Sequence, residues 1–383
     1  MRFEFATANQ IIFGEGAAVE VGSHAARLGA HALVCLGIPE QNAATLLDSL
    51  KRSRVKVTLY AVNGEPTVES VAEGAALARR QGCDAVIGLG GGSAMDMAKA
   101  TAALTANEGE ATDYLEVIGK GQALRQAPLP VIAIPTTAGT GAEVTRNAVI
   151  GSPAHGVKVS LRSPLILPRL ALVDPTLTYG LPPAITASTG LDALTQVIEP
   201  FVSVKANPLT DAFCREGMQR ARRALRLAYT QDDPAARRDM ALTSLLGGLA
   251  LANAGLGVAH GFAGVLGGML GAPHGALCAA LLPSVMAANA AALQARQPES
   301  EALRRYEEVA RLLAGEGAKI EEGIAWVSAL CAALNIPPLR TYGLSEANLA
   351  EAVEKALKAS SSKGNPIVLS QEEMEKILTL AMG

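Results

Sequence analysis

Charge of either sign is scarce in this sequence. Only 18% of its 383 residues are Asp, Glu, Lys or Arg, and 33 basic against 36 acidic residues leave a formal net charge of −3. That balance provides no basic field to hold nucleic acid or an anionic bilayer, so neither is expected as a partner. Aromatic residues make up 3% of the chain, so any substrate pocket must be shaped mainly by small side chains. The five cysteines, Cys35, Cys83, Cys214, Cys278 and Cys331, form no CxxC pair. A disulfide framework is therefore not expected, and buried thiols in a reducing compartment are. The start of the chain, Met1-Arg2-Phe3-Glu4-Phe5, lacks the charged-then-apolar order of a signal peptide. The most apolar stretch, Leu245 to Leu282, is interrupted by glycines, by Pro273 and by His260 and His274. It falls short of the roughly 20 uninterrupted apolar residues a membrane helix needs. The expectation is a cytoplasmic protein with no membrane contact.

Hydrophobic residues are abundant, at 49%, enough for compact cores, and the length favours two domains. The first half alternates strand-like runs with helical spacing. Ile11-Ile12-Phe13, Ala32 to Leu36, the alternating Val55, Val57 and Leu59, Ala85 to Leu89, Val131 to Ile134 and Leu170 to Val173 read as strands. Val68 to Arg80 and Ala94 to Ala106 read as helices between them. This order predicts a Rossmann-like α/β domain with a largely parallel sheet. After Gly180-Leu181-Pro182-Pro183 convincing strands vanish and long helical runs follow, over Ala184–Val202, Pro208–Tyr229, Pro234–Asn253 and on to the C-terminus. The predicted organisation is an α/β domain over residues 1–178 and an all-helical domain over residues 179–383.

Two loops carry binding chemistry. Strand 85–89 runs into Gly90-Gly91-Gly92-Ser93 and then a helix through Asp96 and Lys99. Such a turn lets backbone N–H groups and a helix N-terminus approach a pyrophosphate, because no Cβ holds the ligand away. The run is neither G-x-G-x-x-G nor a P-loop. Taken alone it also fits a flexible turn, with Asp96 and Lys99 a surface pair three residues apart. Strand 131–134 runs into Pro135-Thr136-Thr137-Ala138-Gly139-Thr140-Gly141, a hydroxyl-rich loop that would lie at the same end of a parallel sheet, where ligands of such folds bind.

A third constellation lies in the helical half. His260 and His274 stand in apolar, glycine-rich segments, and Asp192 and Gln196 occupy one face of an otherwise apolar helix. Buried imidazoles need partners. Asp192, His260 and His274 would offer a divalent metal an O,N,N set with a position left for substrate; backbone carbonyls are the plainer alternative. His24 and His31 have no such setting and read as structural.

The runs Gly-Gly-Gly-Ser-x-x-Asp-x-Ala-Lys (90–99), Pro-Thr-Thr-Ala-Gly-Thr-Gly-x-Glu-Val-Thr (135–145), Val-Asp-Pro (173–175), Gly-Leu-Pro-Pro (180–183), Thr-Gly-Leu-Asp-Ala-Leu (189–194) and His260 with Pro273-His274-Gly275 together resemble the iron-containing (group III) alcohol dehydrogenases of the dehydroquinate synthase-like superfamily. The resemblance spans about residues 10 to 285. It implies a metal-dependent, NAD(P)-linked interconversion of an alcohol with an aldehyde or ketone, in a cleft between the two domains. It implies NAD or NADP at Gly37, Gly90, Gly91, Gly92, Ser93, Asp96, Thr136, Thr137, Thr140 and Asn147, and Lys158 near the nicotinamide; an exposed hairpin lysine is the plain alternative there. It implies Asp192, His260 and His274 as metal ligands and, with Lys158, as catalytic residues, and a homodimer or larger homo-oligomer. Phe201, Phe262 and Asn147 would form the pocket wall.

Two departures stand out. Gln196 replaces a histidine ligand usual in the family; its amide oxygen would ligate the metal weakly, bond a metal-bound water or stay out of the site, and the remaining set is similar to the zinc-dependent glycerol dehydrogenase branch. Without that imidazole the site is harder, so Zn²⁺, Mn²⁺ or Mg²⁺ compete with Fe²⁺ more evenly than usual. Gly264 stands where many relatives carry a proton-relaying histidine. Gly37 replaces an aspartate common in NAD-selective members, which leaves NADP open. Two other readings use the same residues: a metal-independent enzyme like the maleylacetate reductases, and a nucleotide-binding homologue impaired in catalysis.

Overall fold

The computed structural model describes residues 2–383. They divide into two compact units, Ala6–Thr137 with Gly141–Tyr179, and Gly180–Gly383 with Ala138–Thr140 and the N-terminal residues through Phe5.

The first unit holds eight strands: β1 (Gln10–Phe13), β2 (His31–Leu36), β3 (Lys56–Ala61), β4 (Ala85–Gly90), β5 (Val131–Pro135), β6 (Asn147–Ser152), β7 (Val157–Arg162) and β8 (Leu170–Val173). Its helices are α1 (Val21–Leu28), α2 (Ala44–Arg52), α3 (Val68–Gln81), α4 (Gly92–Ala106) and the single turn α5 (Ala111–Tyr114). Six strands form one sheet in the order β1-β8-β5-β4-β2-β3, all pairs parallel. The strand residues split by parity. Leu33 and Cys35 of β2 pack into one core while Ala32, Val34 and Leu36 pack into another, as the two-residue period of a strand with both faces covered requires. Strands β6 and β7 make a separate antiparallel hairpin, and Lys158 lies on its second strand.

The chain passes from β2 to β3 on one side, then crosses to place β4 on the other. The carboxyl ends of β2 and β4 are thus the point where the winding reverses, the place where open α/β sheets bind ligands. Backbone contact there is close. Gly37 N–H donates to Leu89 O at 2.8 Å. Gly90 has φ +152°, and a Cβ on it would stand 2.8 Å from Ala94 Cβ and 3.0 Å from Gly37 Cα. Only glycine meets both conditions.

The second unit is built from α6 (Pro183–Val202), α7 (Pro208–Gln231), α8 (Pro234–Ala254), α9 (Val258–Leu270), α10 (His274–Arg296), α11 (Glu301–Ala314), α12 (Ile320–Ala333), α13 (Leu349–Lys358) and α14 (Gln371–Met382). Proline opens α6, α7 and α8 at the first helical position, where its missing N–H costs nothing. Leu191, Leu194, Val197 and Phe201 of α6 join Leu277, Leu281 and Leu282 of α10 in one core. By length and composition α10 could cross a bilayer, a property Leu245–Leu282 did not reveal, yet two-thirds of its apolar window is buried inside the fold.

Two short segments depart from the expected division at residue 178. Phe5 packs against Phe213, ring centroids 5.8 Å apart, and Gly139 lies so close to α6 that an added Cβ would touch Thr189 Cβ at 2.8 Å. Both therefore join the helical unit. The Val-Asp-Pro run acquires a structural reason. The Asp174 carboxylate is 2% exposed and accepts from Gly16 N at 3.1 Å, Ala18 N at 3.0 Å, Thr176 N at 3.0 Å and Thr176 Oγ1 at 2.7 Å. It ties the exit of β8 to the chain after β1. Truncating it strands several buried donors, each costing about 1–3 kcal/mol. Asp174→Ala should destabilise the α/β unit by about 3 kcal/mol or more in urea unfolding; a loss under about 1 kcal/mol would show that water replaces the carboxylate without penalty.

Candidate active site

Asp192 and Gln196 lie one turn apart on α6, His260 in the first turn of α9, and His274 at the first position of α10. Close helix contact brings them together. A Cβ on Gly275 would meet Ser188 O at 2.7 Å and Asp192 Cβ at 3.3 Å, so glycine after His274 lets α10 press its N-terminus onto α6. The His260 and His274 rings stand 5.4 Å apart.

Glu199, two turns beyond Asp192 on α6, is 4% exposed and has both oxygens engaged. Oε1 accepts Ala259 N–H at 2.7 Å, and Oε2 pairs with His260 Nδ1 at 2.7 Å. One carboxylate thus caps the start of α9 and takes the Nδ1 proton of the ring that α9 carries. His260 Nε2 is left directed inward. It faces Asp192 Oδ1 at 3.3 Å, and the two atoms make no hydrogen bond, either to each other or to anything else. Gln196 Oε1 is also buried without a partner. Three such atoms together are costly unless a further group binds them.

Charge in the cluster follows from its crowding. Burial works to raise the Asp192 pKa, but the hydrogen-bonding reach of His260 and the charge of His274 overcome it and hold the carboxyl below its usual range. Burial works to lower the pKa of both imidazoles. At His260 the nearby Cys278, Asp192 and Glu199 outweigh it and drive the pKa well above the usual value; at His274 Cys278 and Asp192 do the same more weakly. The cluster is poised to hold positive charge. A divalent ion fits it: one carboxylate and two imidazole nitrogens converge, and the second nitrogen of His260 already has the carboxylate partner that metal-binding histidines show.

In the α/β unit, α4 begins at Gly92 with Gly91 as a cap that offers no side chain. The first N–H groups of a long helix, including that of Ser93, are thereby open to an anion at the reversal point of the sheet. Thr136 N–H donates to Gly90 O at 2.9 Å, joining the two expected loops. Thr137 Oγ1 would lie 3.5 Å from a Cβ placed on Gly91. Thr140 belongs with the helical unit instead. Gly37 has a packing reason, since a Cβ there would meet that of Ala94 at 2.9 Å.

Other expected residues are occupied differently. Asp96 Oδ2 accepts Val149 N–H at 3.1 Å and Oδ1 pairs with Lys99 at 2.8 Å. Lys99 is fully buried and also donates to Ala142 O at 3.0 Å and to the carbonyl of Asn147. The surface-pair reading of Asp96 and Lys99 is therefore incorrect: they pin α4 to β6. Lys158 pairs with Glu65 at 2.6 Å and its side chain is only 13% exposed, so it is not an exposed hairpin lysine. Phe201 and Phe262 are fully buried, and Phe201 lies under the guanidinium groups of Arg215 and Arg305; neither ring fronts an open pocket. His24 does have a carboxylate near it, Glu20 at 3.7 Å, and His31 bonds Thr58.

The chain matches the family Iron-containing alcohol dehydrogenase over residues 8–175 and the Fe-containing alcohol dehydrogenase C-terminal family over residues 186–382. It belongs to the iron-containing alcohol dehydrogenase family. Alcohol dehydrogenase 4 of Schizosaccharomyces pombe is 35% identical over 97% of this chain and 87% of its own length. A crystal structure of a 1,3-propanediol oxidoreductase superposes with a TM-score of 0.92 at 33% identity, covering 100% of both chains. A sulfoacetaldehyde reductase from Bifidobacterium kashiwanohense, solved with NAD⁺, superposes with a TM-score of 0.87 at 28% identity, covering 100% of this chain and 99% of its own.

Sequence reasoning about this family member passed over Glu199 and Cys278. Each carried a helical signal: Glu199 is seven residues after Asp192 and Cys278 four after His274, hence on the same faces. Removing the charge of Glu199 while keeping its shape should loosen the grip on His260. Glu199→Gln is expected to weaken Zn²⁺ or Fe²⁺ binding about 10–100-fold, measured by competition with a chelator; unchanged affinity would reduce Glu199 to a helix cap.

Proposed function

We propose that the protein is a metal-dependent, NAD(P)-linked alcohol dehydrogenase that interconverts a small alcohol with its aldehyde or ketone. The observation that carries this reading is the meeting of Asp192 Oδ1 and His260 Nε2, 3.3 Å apart, both buried and unpartnered, beside His274, with Gln196 Oε1 also buried without a partner. In a family of oxidoreductases, such a cluster is best explained by a cation.

When bound, a divalent metal supplies Lewis acidity at the substrate oxygen, favouring the alcohol's deprotonation and polarising a carbonyl. Asp192, His260 and His274 would hold it, with Gln196 beside them, and Glu199 keeps the His260 tautomer with its proton on Nδ1 and its lone pair on Nε2. The turn from Gly90 to Ser93 and the N-terminus of α4 would take the pyrophosphate of the dinucleotide, and Thr136 and Thr137 its neighbouring polar groups. Asp96 acts one step back by fixing α4 to β6, and Asn147 takes part through the carbonyl that holds Lys99. Lys158, paired with Glu65, would face the nicotinamide half only by giving up that partner.

Gly264 shapes both proton transfer and substrate size. A Cβ there would meet nothing within 4 Å, so the position offers room and no relay group. Residue 264 would therefore take no part in moving the proton released from the alcohol. The small residue at 37 places no carboxylate against a 2′-phosphate, so NADP is accepted as well as NAD. Five unpaired cysteines suit the reducing conditions of the cytoplasm.

Metal removal separates this reading from a metal-independent reductase. A chelator-stripped sample should lose oxidation of short alcohols and reduction of aldehydes while binding NAD(P)H as before, and should recover on addition of Fe²⁺ or Zn²⁺. Full turnover by the stripped protein would reject the metal-dependent mechanism.

A further inference from the structure

Cys278 stands one turn after His274 on α10, fully buried. Its Sγ is hydrogen-bonded to His274 Nε2 at 3.6 Å, and donor atoms of Asp192, His260, His274 and Cys278 all fall within 4.8 Å of one another. No disulfide involves this thiol.

Two of the spacings match edges of a coordination tetrahedron. An ion about 2.0–2.1 Å from nitrogen and oxygen and about 2.3 Å from sulfur, in tetrahedral geometry, sets O and N about 3.3 Å apart and N and S about 3.6 Å apart. Asp192 Oδ1 to His260 Nε2 is 3.3 Å, and His274 Nε2 to Cys278 Sγ is 3.6 Å. The first pair makes no hydrogen bond although both atoms are buried, as expected for two ligands that share an ion rather than a proton.

We propose that Cys278 is the fourth protein donor to the metal, as a thiolate, supplying the coordination that Gln196 cannot give as an imidazole would. The inference rests on the metal site proposed above. With four protein donors, the substrate oxygen would have to enter as a fifth ligand, an expansion zinc sites allow. Two anionic donors, Asp192 and Cys278, balance the charge of a divalent ion. A sulfur ligand also favours Zn²⁺ and Co²⁺ over Mg²⁺ and Mn²⁺, which reverses the hardening expected from Gln196 alone. His274 and Cys278 share one rigid helix, so the pair is preset by α10 itself.

Cobalt reports sulfur ligation directly. The full-length protein, stripped of metal and titrated with Co²⁺, should show visible d–d bands together with a near-ultraviolet thiolate-to-cobalt charge-transfer band. Cys278→Ser and Cys278→Ala should lose the charge-transfer band and keep the d–d bands, while Cys214→Ser keeps both. If wild-type protein shows d–d bands without charge transfer, or if the band survives in both Cys278 variants, Cys278 is not a ligand and the metal site itself stands. If wild-type protein takes up no Co²⁺, and Asp192→Asn behaves identically, the metal site fails and this inference with it. The wild-type spectrum decides the first point even if a variant does not fold.

Discussion

Whatever the cluster at α6, α9 and α10 does depends on which nitrogen of His260 carries the proton. Glu199 decides it. Its carboxylate grips the ring at Nδ1 and the backbone of the next-door residue at the same time, so turning the ring over would leave Oε2, held in place by the cap on α9, without its donor. The acid itself stays outside the group of atoms that face one another, and its effect is one of orientation and basicity. A neutral amide in its place could fill the space but would not enforce the tautomer as strongly.

The nucleotide half relies on a different constraint, the close approach of backbone to backbone. Gly37 and Gly90 end neighbouring strands and lie against Ala94 in the first turn of α4. No side chain stands between the strand ends and the helix at this approach. Lys99, Asp96 and the segment from Ala142 to Asn147 hold the far side of the same helix. The buried lysine anchors the platform and is not itself offered to the ligand.

Strand and helix periodicity made most of the fold legible. The six apolar runs of the first half all appear as strands of one sheet, and the turn to an all-helical chain falls at Gly180. Composition could not show that residues 138–140 leave their neighbours to pack on α6, because that depends on Gly139 meeting Thr189, about fifty residues further along the chain. At the site, Asp192, His260 and His274 were readable because polar groups in apolar helices are conspicuous. Glu199 and Cys278 sit at helical offsets from them and were less so: one looked like the polar end of an amphipathic helix, the other like a small buried hydrophobe. Phe201 and Phe262 show the opposite error, since aromatic character alone does not tell a pocket wall from a core residue.

The close packing of α10 on α6 at Gly275 has a thermodynamic side. All the converging donors belong to the helical unit, on three helices, with α6 about fifty residues of chain before α9 and α10. An ion that binds them only when folded adds RT ln(1 + [M]/Kd) to that unit's stability, about 2.7 kcal/mol at a hundredfold excess over Kd. The same ion that serves turnover would then act as a clasp on the fold, and a cell short of metal would face a less durable protein as well as a slower one.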